Sequence, residues 1–368
     1  MGVWLIILAV VLVGFVLGFL YMLWAIGQFP LVKKLSKDNN KRGKLISLAV
    51  LMVFLIIATL AFSLTNAVII LLIAVFFRLI FGIVGRIVKK ATKKTFKFYW
   101  EGWAAVLATV IYFVCGYVIC HHVVKTEYNL TTDKEIGSLK IAMIADSHLG
   151  TTFDAEGFEE HLNTIMKENP DVLFIAGDFV DDGTTRQDMI KACEALGKIK
   201  PKYGIIYCYG NHDRGYNRGA DRYFTAEELD AELMKNNVQI LQDAWALIDD
   251  RFYVVGREDA SEKIRSDASL LTSKLDKDKY IIMLDHQPND YDAEASSGAD
   301  LVLSGHTHGG QLFPVNYVGE WFNINDRTYG YEKRKNTEFI VTSGISDWEI
   351  KFKTGTKSEY VIINVEGK

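Results

Sequence analysis

Two regimes of hydrophobic patterning divide this 368-residue chain near residue 120. Ahead of that point, apolar residues run almost unbroken over roughly 3–26, 45–64, 67–88 and 102–120. A helix needs about 20 such residues to cross the hydrocarbon of a bilayer, so the pattern predicts four transmembrane helices. The first stretch lacks a basic leader and a cleavage site and is longer than the core of a signal peptide, which predicts a retained helix. From residue 139 the pattern shortens. "LKIAMIAD" (139–146), "DVLFIAGD" (171–178), "YGIIYCYGN" (203–211), "YIIMLDH" (280–286) and "ADLVLSGH" (299–306) are apolar runs that each close on Asp, Asn or His. Between them, apolar residues at helical spacing predict amphipathic helices over 156–168, 185–198 and 226–236. Continuous apolar strands separated by helices imply a sheet covered on both faces. Later runs at 252–256, 338–342 and 359–365 lack full helices between them, so part of the pairing is expected to be antiparallel or mixed. The expectation is a layered α/β domain with more than one sheet over 126–368, behind a transmembrane bundle over 1–125, with 121–138 as the junction.

Charge sharpens the division. Thirteen Lys/Arg and two acids precede residue 121, which leaves 28 basic and 43 acidic residues of the total 41 and 45 for the remainder. The C-terminal part is thus strongly acidic, which argues against nucleic acid as a partner. Six Lys/Arg fall in 28–44 and six in 86–100, whereas the link "SLTN" (63–66) carries none. The positive-inside rule places both basic loops in the cytoplasm and sends the C-terminal domain outside, giving a multi-pass protein of the cell membrane. Arg78 falls in the middle of the third span, "VFFRLIF". Two readings stand for it: a charge facing the bundle interior, a polar partner or a lipid phosphate, or a shifted helix whose Arg78 reaches an interface. Cys115, Cys120, Cys193 and Cys208 are scattered and form no disulfide framework.

The polar residues that close the short runs carry the chemistry. In order they are Asp146-Ser147-His148, Gly177-Asp178-Phe179-Val180-Asp181, Gly210-Asn211-His212-Asp213, His286 and Gly305-His306-Thr307-His308. Five of the chain's eight histidines lie in this set. Strand C-termini are where open α/β folds build their sites. Mixed imidazole, carboxylate and amide-oxygen donors suit divalent Zn, Fe, Mn or Co. The donors exceed what one tetrahedral ion uses, so a pair of divalent ions is expected. Asp181 has the alternative reading of a loop cap, and Asp213 reads as a turn or supporting residue.

The motifs D-x-H, G-D-x-x-D, G-N-H-D, a lone His and G-H-x-H, in this order, resemble the calcineurin-like metallophosphoesterases over about 139–345. "LDHQP" and "GHTHGGQLFP" look most like the membrane-tethered bacterial branch of that superfamily, which includes transmembrane proteins with a C-terminal phosphoesterase domain. The resemblance implies a two-sheet αββα sandwich and phosphoester hydrolysis. It implies that Asp146, His148 and His308 hold one ion, that Asn211, His286 and His306 hold the other, and that Asp178 bridges both. His212 would face the substrate, stabilise phosphoryl charge and protonate the leaving oxygen, with Asp181 orienting it. One departure stands out: Ser346 occupies a position near "SGIS" (343–346) where the family often has a second glycine. That loop is expected to lie away from the ligands.

Two segments are candidates for substrate recognition. Arg214, Arg218 and Arg222 follow His212 and are suited to phosphate oxygens, unless they belong to a solvated loop. The aromatics of 313–331 are suited to the headgroup level of a membrane, or they pack as an insertion under the site. Together these features imply a membrane-anchored dinuclear phosphoesterase. Its substrate would be a phosphodiester, pyrophosphate or phosphomonoester, lipid or lipid-linked, met at the outer face of the membrane. The competing expectation is a membrane sensor or binding module with a non-catalytic phosphoesterase-like domain.

Overall fold

The computed structural model describes residues 2–94, 98–215 and 223–368. They form two compact units, Met1–Gly116 and Tyr117–Lys368, which meet a little ahead of the expected boundary at 125/126.

The first unit is helical: α1 Gly2–Gly27, α2 Pro30–Ser36, α3 Asn40–Ala61, α4 Leu64–Thr92 and α5 Trp100–His121, whose last turn belongs to the second unit. Four of these helices are long and apolar enough to cross a membrane. The breaks between them are capped. Asn39 accepts from the Arg42 N–H at the start of α3, and Ser63 accepts from the Asn66 N–H at the start of α4. The short α2 was not expected; Pro30 at its first position presets the helical φ. Leucines and valines along the four long helices are exposed, as suits side chains that face lipid. Arg78 is buried, donates from Nε to the Tyr99 hydroxyl at 2.8 Å and lies over the rings of Trp24 and Tyr99. Trp24 is near the end of α1, and Tyr99 directly precedes α5. Arg78 therefore sits at the level where neighbouring helices end, and α4 continues about 21 Å beyond it at 1.5 Å per residue. Its burial and the bond to Tyr99 supply the polar partner of the first reading, and its level along α4 fits the second.

The second unit is built on twelve strands: β1 Val124–Thr131, β2 Ser138–Ile144, β3 Val172–Ala176, β4 Ile205–Cys208, β5 Val238–Ile240, β6 Ala244–Ile248, β7 Phe252–Gly256, β8 Tyr280–Leu284, β9 Leu301–Ser304, β10 Gly330–Arg334, β11 Thr337–Val341 and β12 Glu359–Glu366. They form two six-stranded sheets, ordered β1-β12-β2-β3-β4-β5 and β10-β11-β9-β8-β7-β6. The centre of each sheet is parallel, and antiparallel pairs (β12 with β2, β10 with β11, β6 with β7) complete it. Helices α6 Ala155–Met166, α7 Arg186–Lys198 and α8 Ala226–Lys235 cover the first sheet, and α9 Ala268–Thr272 and α10 Tyr291–Ser297 cover the second.

Strand alternation creates the layers. Ile141, Met143, Val172 and Phe174 point into the core between the sheets, with Ile282, Leu284, Leu301 and Leu303 from the other side. Their neighbours Ala142, Ile144, Leu173 and Ile175 face α6 and α7. Both faces of these strands are buried, which is why their sequences are apolar without a break. The result is an αββα sandwich. The region expected as a junction, 121–138, contains β1, an edge strand parallel to β12. Its side chains are alternately exposed and half-buried, so its polar sequence concealed it.

Candidate metal centre

Five strands, three from the first sheet and two from the second, bring their C-terminal ends to one place. β2 leads into Asp146 and His148, β3 into Asp178, β4 into Asn211 and His212, β8 into His286, and β9 into His306 and His308. Five of these residues leave ordinary backbone space: Asp146, His148, Asp178, His306 and His308 have φ of 56°, 34°, 51°, 70° and 49°. Left-handed backbone costs a non-glycine residue on the order of 1–3 kcal/mol and persists where the surroundings enforce it. Here the loops are laced together. The Asp146 carboxylate accepts the His306 N–H at 2.9 and 3.0 Å, and Asp178 Oδ1 accepts the His212 N–H at 2.8 Å. The Asp146 N–H donates to Gly177 O at 3.0 Å, and the Gly305 N–H donates to His286 O at 3.0 Å. Glycine permits the approach: a Cβ on Gly305 would lie 2.5 Å from Asp146 Oδ2, and one on Gly177 (φ +83°) 2.5 Å from His286 Nδ1.

Two groups of donors result. Asp146, His148 and His308 each place a ligand-type atom within 4.8 Å of the others, and Asp178, His286 and His306 do the same. Asp178 Oδ2 lies between the groups, 3.0 Å from His286 Nε2 and 3.5 Å from His148 Nε2. His286 Nδ1 is 2.8 Å from the Ala176 carbonyl, so it carries the proton and Nε2 turns its lone pair inward. His148 Nε2 and Asn211 Oδ1 are buried without a hydrogen bond. Buried imidazole, carboxylate and amide-oxygen atoms of this kind are what divalent cations satisfy once the imidazoles give up their protons. The residues present therefore fit a metal pair.

The titration behaviour follows from this crowding. Burial disfavours charge on His148, but Asp181, Asp178 and Asp146 outweigh it and raise its pKa above the usual imidazole value. Burial likewise opposes charge on His286, and Asp178 overrides it and raises the pKa strongly. Burial alone would raise Asp178; His286 and His148 instead hold its carboxyl well below the usual carboxylate range. His306 is driven down to about 3 by burial and by the neighbouring His286. Burial also lowers His212, whose ring lies 4.9 Å from His148 and 5.2 Å from Trp348.

Supporting residues surround these donors. Asp181 Oδ2 stands 3.5 Å from His148 Nδ1, and its charge also acts on His212; its other oxygen accepts from the Gly183 N–H. The 343–346 loop does not lie away from the ligands. β11 runs parallel to β9 and delivers this loop to the same edge, where the Ile345 and Ser346 N–H groups donate to the carbonyls of Ala145 and Asp146. The next residue, Asp347, was not singled out in the sequence. Its Oδ1 lies 3.4 Å from His308 Nδ1 and 3.1 Å from the fully buried Lys353 Nζ, and its Oδ2 accepts from Cys120 Sγ at 3.0 Å. Asp213 is a clamp: its carboxylate accepts the N–H groups of Asp178, Phe179, Val180 and Gly210 at 2.7–3.2 Å, tying two donor loops together.

Of the arginines expected near phosphate, Arg218 and Arg222 lie outside the described residues. Arg214 pairs with Glu258 at 3.0 Å and lies over the Tyr209 ring. It lines a cavity of about 380 Å³ together with Asp243, Glu258, Glu262 and Lys263, three acids against two bases, so its charge is already countered there.

The sequence profile of the calcineurin-like phosphoesterases matches residues 139–310. An uncharacterised metallophosphoesterase of Campylobacter jejuni is 30% identical over 264 residues, covering 68% of this chain and 67% of that protein. A zebrafish transmembrane protein with metallophosphoesterase domain is 28% identical, covering 61% of this chain and 53% of its own length. An uncharacterised metallophosphoesterase of Aquifex aeolicus is 27% identical, covering 66% of this chain and 91% of that protein. The match thus spans only about half of the zebrafish protein.

Proposed function

The chain belongs to the calcineurin-like metallophosphoesterases, metal-dependent hydrolases of phosphoesters. From that premise we propose a membrane-anchored enzyme that cleaves a phosphodiester or pyrophosphate of a lipid or lipid-linked substrate, at the outer face of the cell membrane. Asp146, His148 and His308 hold one divalent ion, Asn211, His286 and His306 hold a second, and Asp178 serves both. The metals are drawn from Mn, Zn, Fe and Co. Bound there, they supply Lewis-acid activation of water and offset phosphoryl charge. The observation that carries this reading is the convergence of five donor residues in left-handed backbone upon buried, unsatisfied ligand atoms.

The chain's own residues do the rest. His212 is fixed by its N–H on Asp178 Oδ1 and by its ring against Trp348. Burial keeps it neutral in the free protein, so it meets the phosphoryl group as a hydrogen-bond donor. An approaching anion raises its proton affinity, so His212 takes up a proton from solvent as substrate binds and passes it to the leaving oxygen. Asp181 and Asp347 face the Nδ1 sides of His148 and His308 at 3.5 and 3.4 Å, an arrangement that favours each Nε2 turned inward. The outer-face orientation is supported by the two basic loops that flank α2 and α4, which the positive-inside rule retains in the cytoplasm.

The test is turnover by the full-length protein of bis(p-nitrophenyl) phosphate, p-nitrophenyl phosphate and a vesicle-borne phospholipid, with Mn or Zn added. Diester and lipid hydrolysis supports the proposal. Metal binding without turnover of any of the three supports the sensor or binding-module alternative.

A further inference from the structure

The segment that follows the histidine pair is built inside out. Several of its polar residues are turned inward. Gln311 Nε2 donates to Ile350 O at 2.8 Å, Gln311 O accepts the Thr354 N–H at 2.8 Å, and the Phe313 N–H donates to Thr354 Oγ1 at 3.1 Å. Asn316 is buried, and the one acid between 311 and 324, Glu320, is turned onto the Thr328 N–H. Leu312 is buried, but most of the largest apolar residues point out. Phe313 is 56% exposed, Trp321 66% and Phe322 70%, and Val315 and Tyr317 are exposed beside them. Trp348 is 42% exposed, with its carbonyl 3.5 Å from Gln311 Nε2 and its ring 5.2 Å from that of His212 at the metal centre. Natural surfaces rarely keep so many aromatics in water unless something covers them.

The cover is indicated by what the same segment is tied to. Its partner loop, 347–358, also grips the last turn of α5. Cys120 Sγ donates to Asp347, Ser358 Oγ donates to Cys120 O at 2.7 Å, and Phe352 packs on Tyr117. α5 is long and apolar enough to cross a membrane, and β1 begins within three residues of its end. The aromatic segment is therefore held one loop away from the point where the chain leaves the helix. Exposed Trp, Tyr and Phe at that level match the residues that favour the boundary between headgroups and acyl chains.

We propose that Phe313, Val315, Tyr317, Trp321, Phe322 and Trp348 form a membrane-docking rim that seats the metal centre against the bilayer crossed by the chain's own helices. The proposal deepens the reading of a membrane-presented substrate and rests on it. A docked rim lets a phosphoester at headgroup level reach His212 without leaving the lipid.

The experiment places a nitroxide label at Phe322→Cys and, separately, at Trp321→Cys, in a Cys115→Ser background of the full chain. A control label sits at exposed Lys235→Cys in α8. The protein is reconstituted in vesicles of phosphatidylcholine with a minority of phosphatidylglycerol. Collision rates with oxygen and with a polar nickel complex are read by electron paramagnetic resonance. At Phe322 and Trp321 the nickel rate is expected to fall about tenfold below that at Lys235 while the oxygen rate rises, because the interface excludes the polar reagent. A label as open to nickel as Lys235 overturns the proposal. So does a label shielded from both reagents, which would mean that a protein surface or second copy covers the rim. Lipid turnover, assayed separately, distinguishes the two ideas: a water-exposed label with intact lipid hydrolysis sinks the rim alone. A lipid-exposed label without lipid hydrolysis keeps the rim and sinks the substrate.

Discussion

Asp347 offers the sharpest separation of stability from function in this fold. Its carboxylate is shared by His308 Nδ1 (3.4 Å), the buried ammonium of Lys353 (3.1 Å) and Cys120 Sγ (3.0 Å). Asp347→Asn removes the charge at nearly constant shape and has two separable consequences. Lys353 is left buried without its counter-charge, which destabilises by about 3–5 kcal/mol. His308 loses the negative charge that faces its Nδ1 at 3.4 Å, which weakens the first metal by about 10–100-fold, as loss of such a supporting carboxylate usually does. The double variant Asp347→Asn/Lys353→Met removes the orphaned charge as well. It gives up the Lys353 bond to Ser343 O, worth about 1 kcal/mol, yet recovers most of the stability. It recovers none of the metal affinity. Thermal unfolding of the apoprotein gives the first quantity, and competition with a chelator gives the second. If the double variant regains wild-type affinity for both ions, Asp347 is merely a partner for Lys353, and the positioning role assigned to it is wrong.

Other consequences follow from named contacts. Gly305→Ala drives a methyl to 2.5 Å from Asp146 Oδ2, and elemental analysis is expected to show loss of one ion with the fold retained by circular dichroism. His212→Ala is expected to keep both metals and lower kcat about 10²–10⁴-fold, read with bis(p-nitrophenyl) phosphate. The raised pKa values of His148 and His286 mean that the metal-free folded protein binds protons the unfolded chain does not. Their contribution to stability is therefore full below about 6.5 and lost as pH rises through the raised values. Metal must displace those protons, so calorimetric titration of apoprotein in buffers of different ionisation enthalpy near neutral pH should register proton release. A binding enthalpy independent of buffer would contradict the assignment.

How much of this was legible in sequence depended on burial. β2, β3, β4, β8 and β9 are buried on both faces, so they stood out as apolar runs, and their polar ends marked the donors. The edge strands β1, β6 and β10 are half-exposed and carry charge or alternation, so the same signal is absent from them. Asp213 was legible as a supporting residue because it sits inside a motif. Asp347 was not, because its partner His308 is far away in sequence and only the parallel return of β11 beside β9 brings them together. The contact of Asp181 with His148 was not legible, because spacing along a loop does not say which imidazoles its carboxylate meets. Arg78 looked deep in a span because α4 is longer than a bilayer is thick, and only its neighbours Trp24 and Tyr99 reveal its level.

The central claim is that Asp178 serves two ions. Elemental analysis of the purified full-length protein, compared with Asp178→Asn under identical metal loading, tests it most directly. Two divalent ions per chain are expected in the wild type, with at most one in the variant and no diester turnover. Equal metal content in both proteins, or a wild type that retains none, would contradict it.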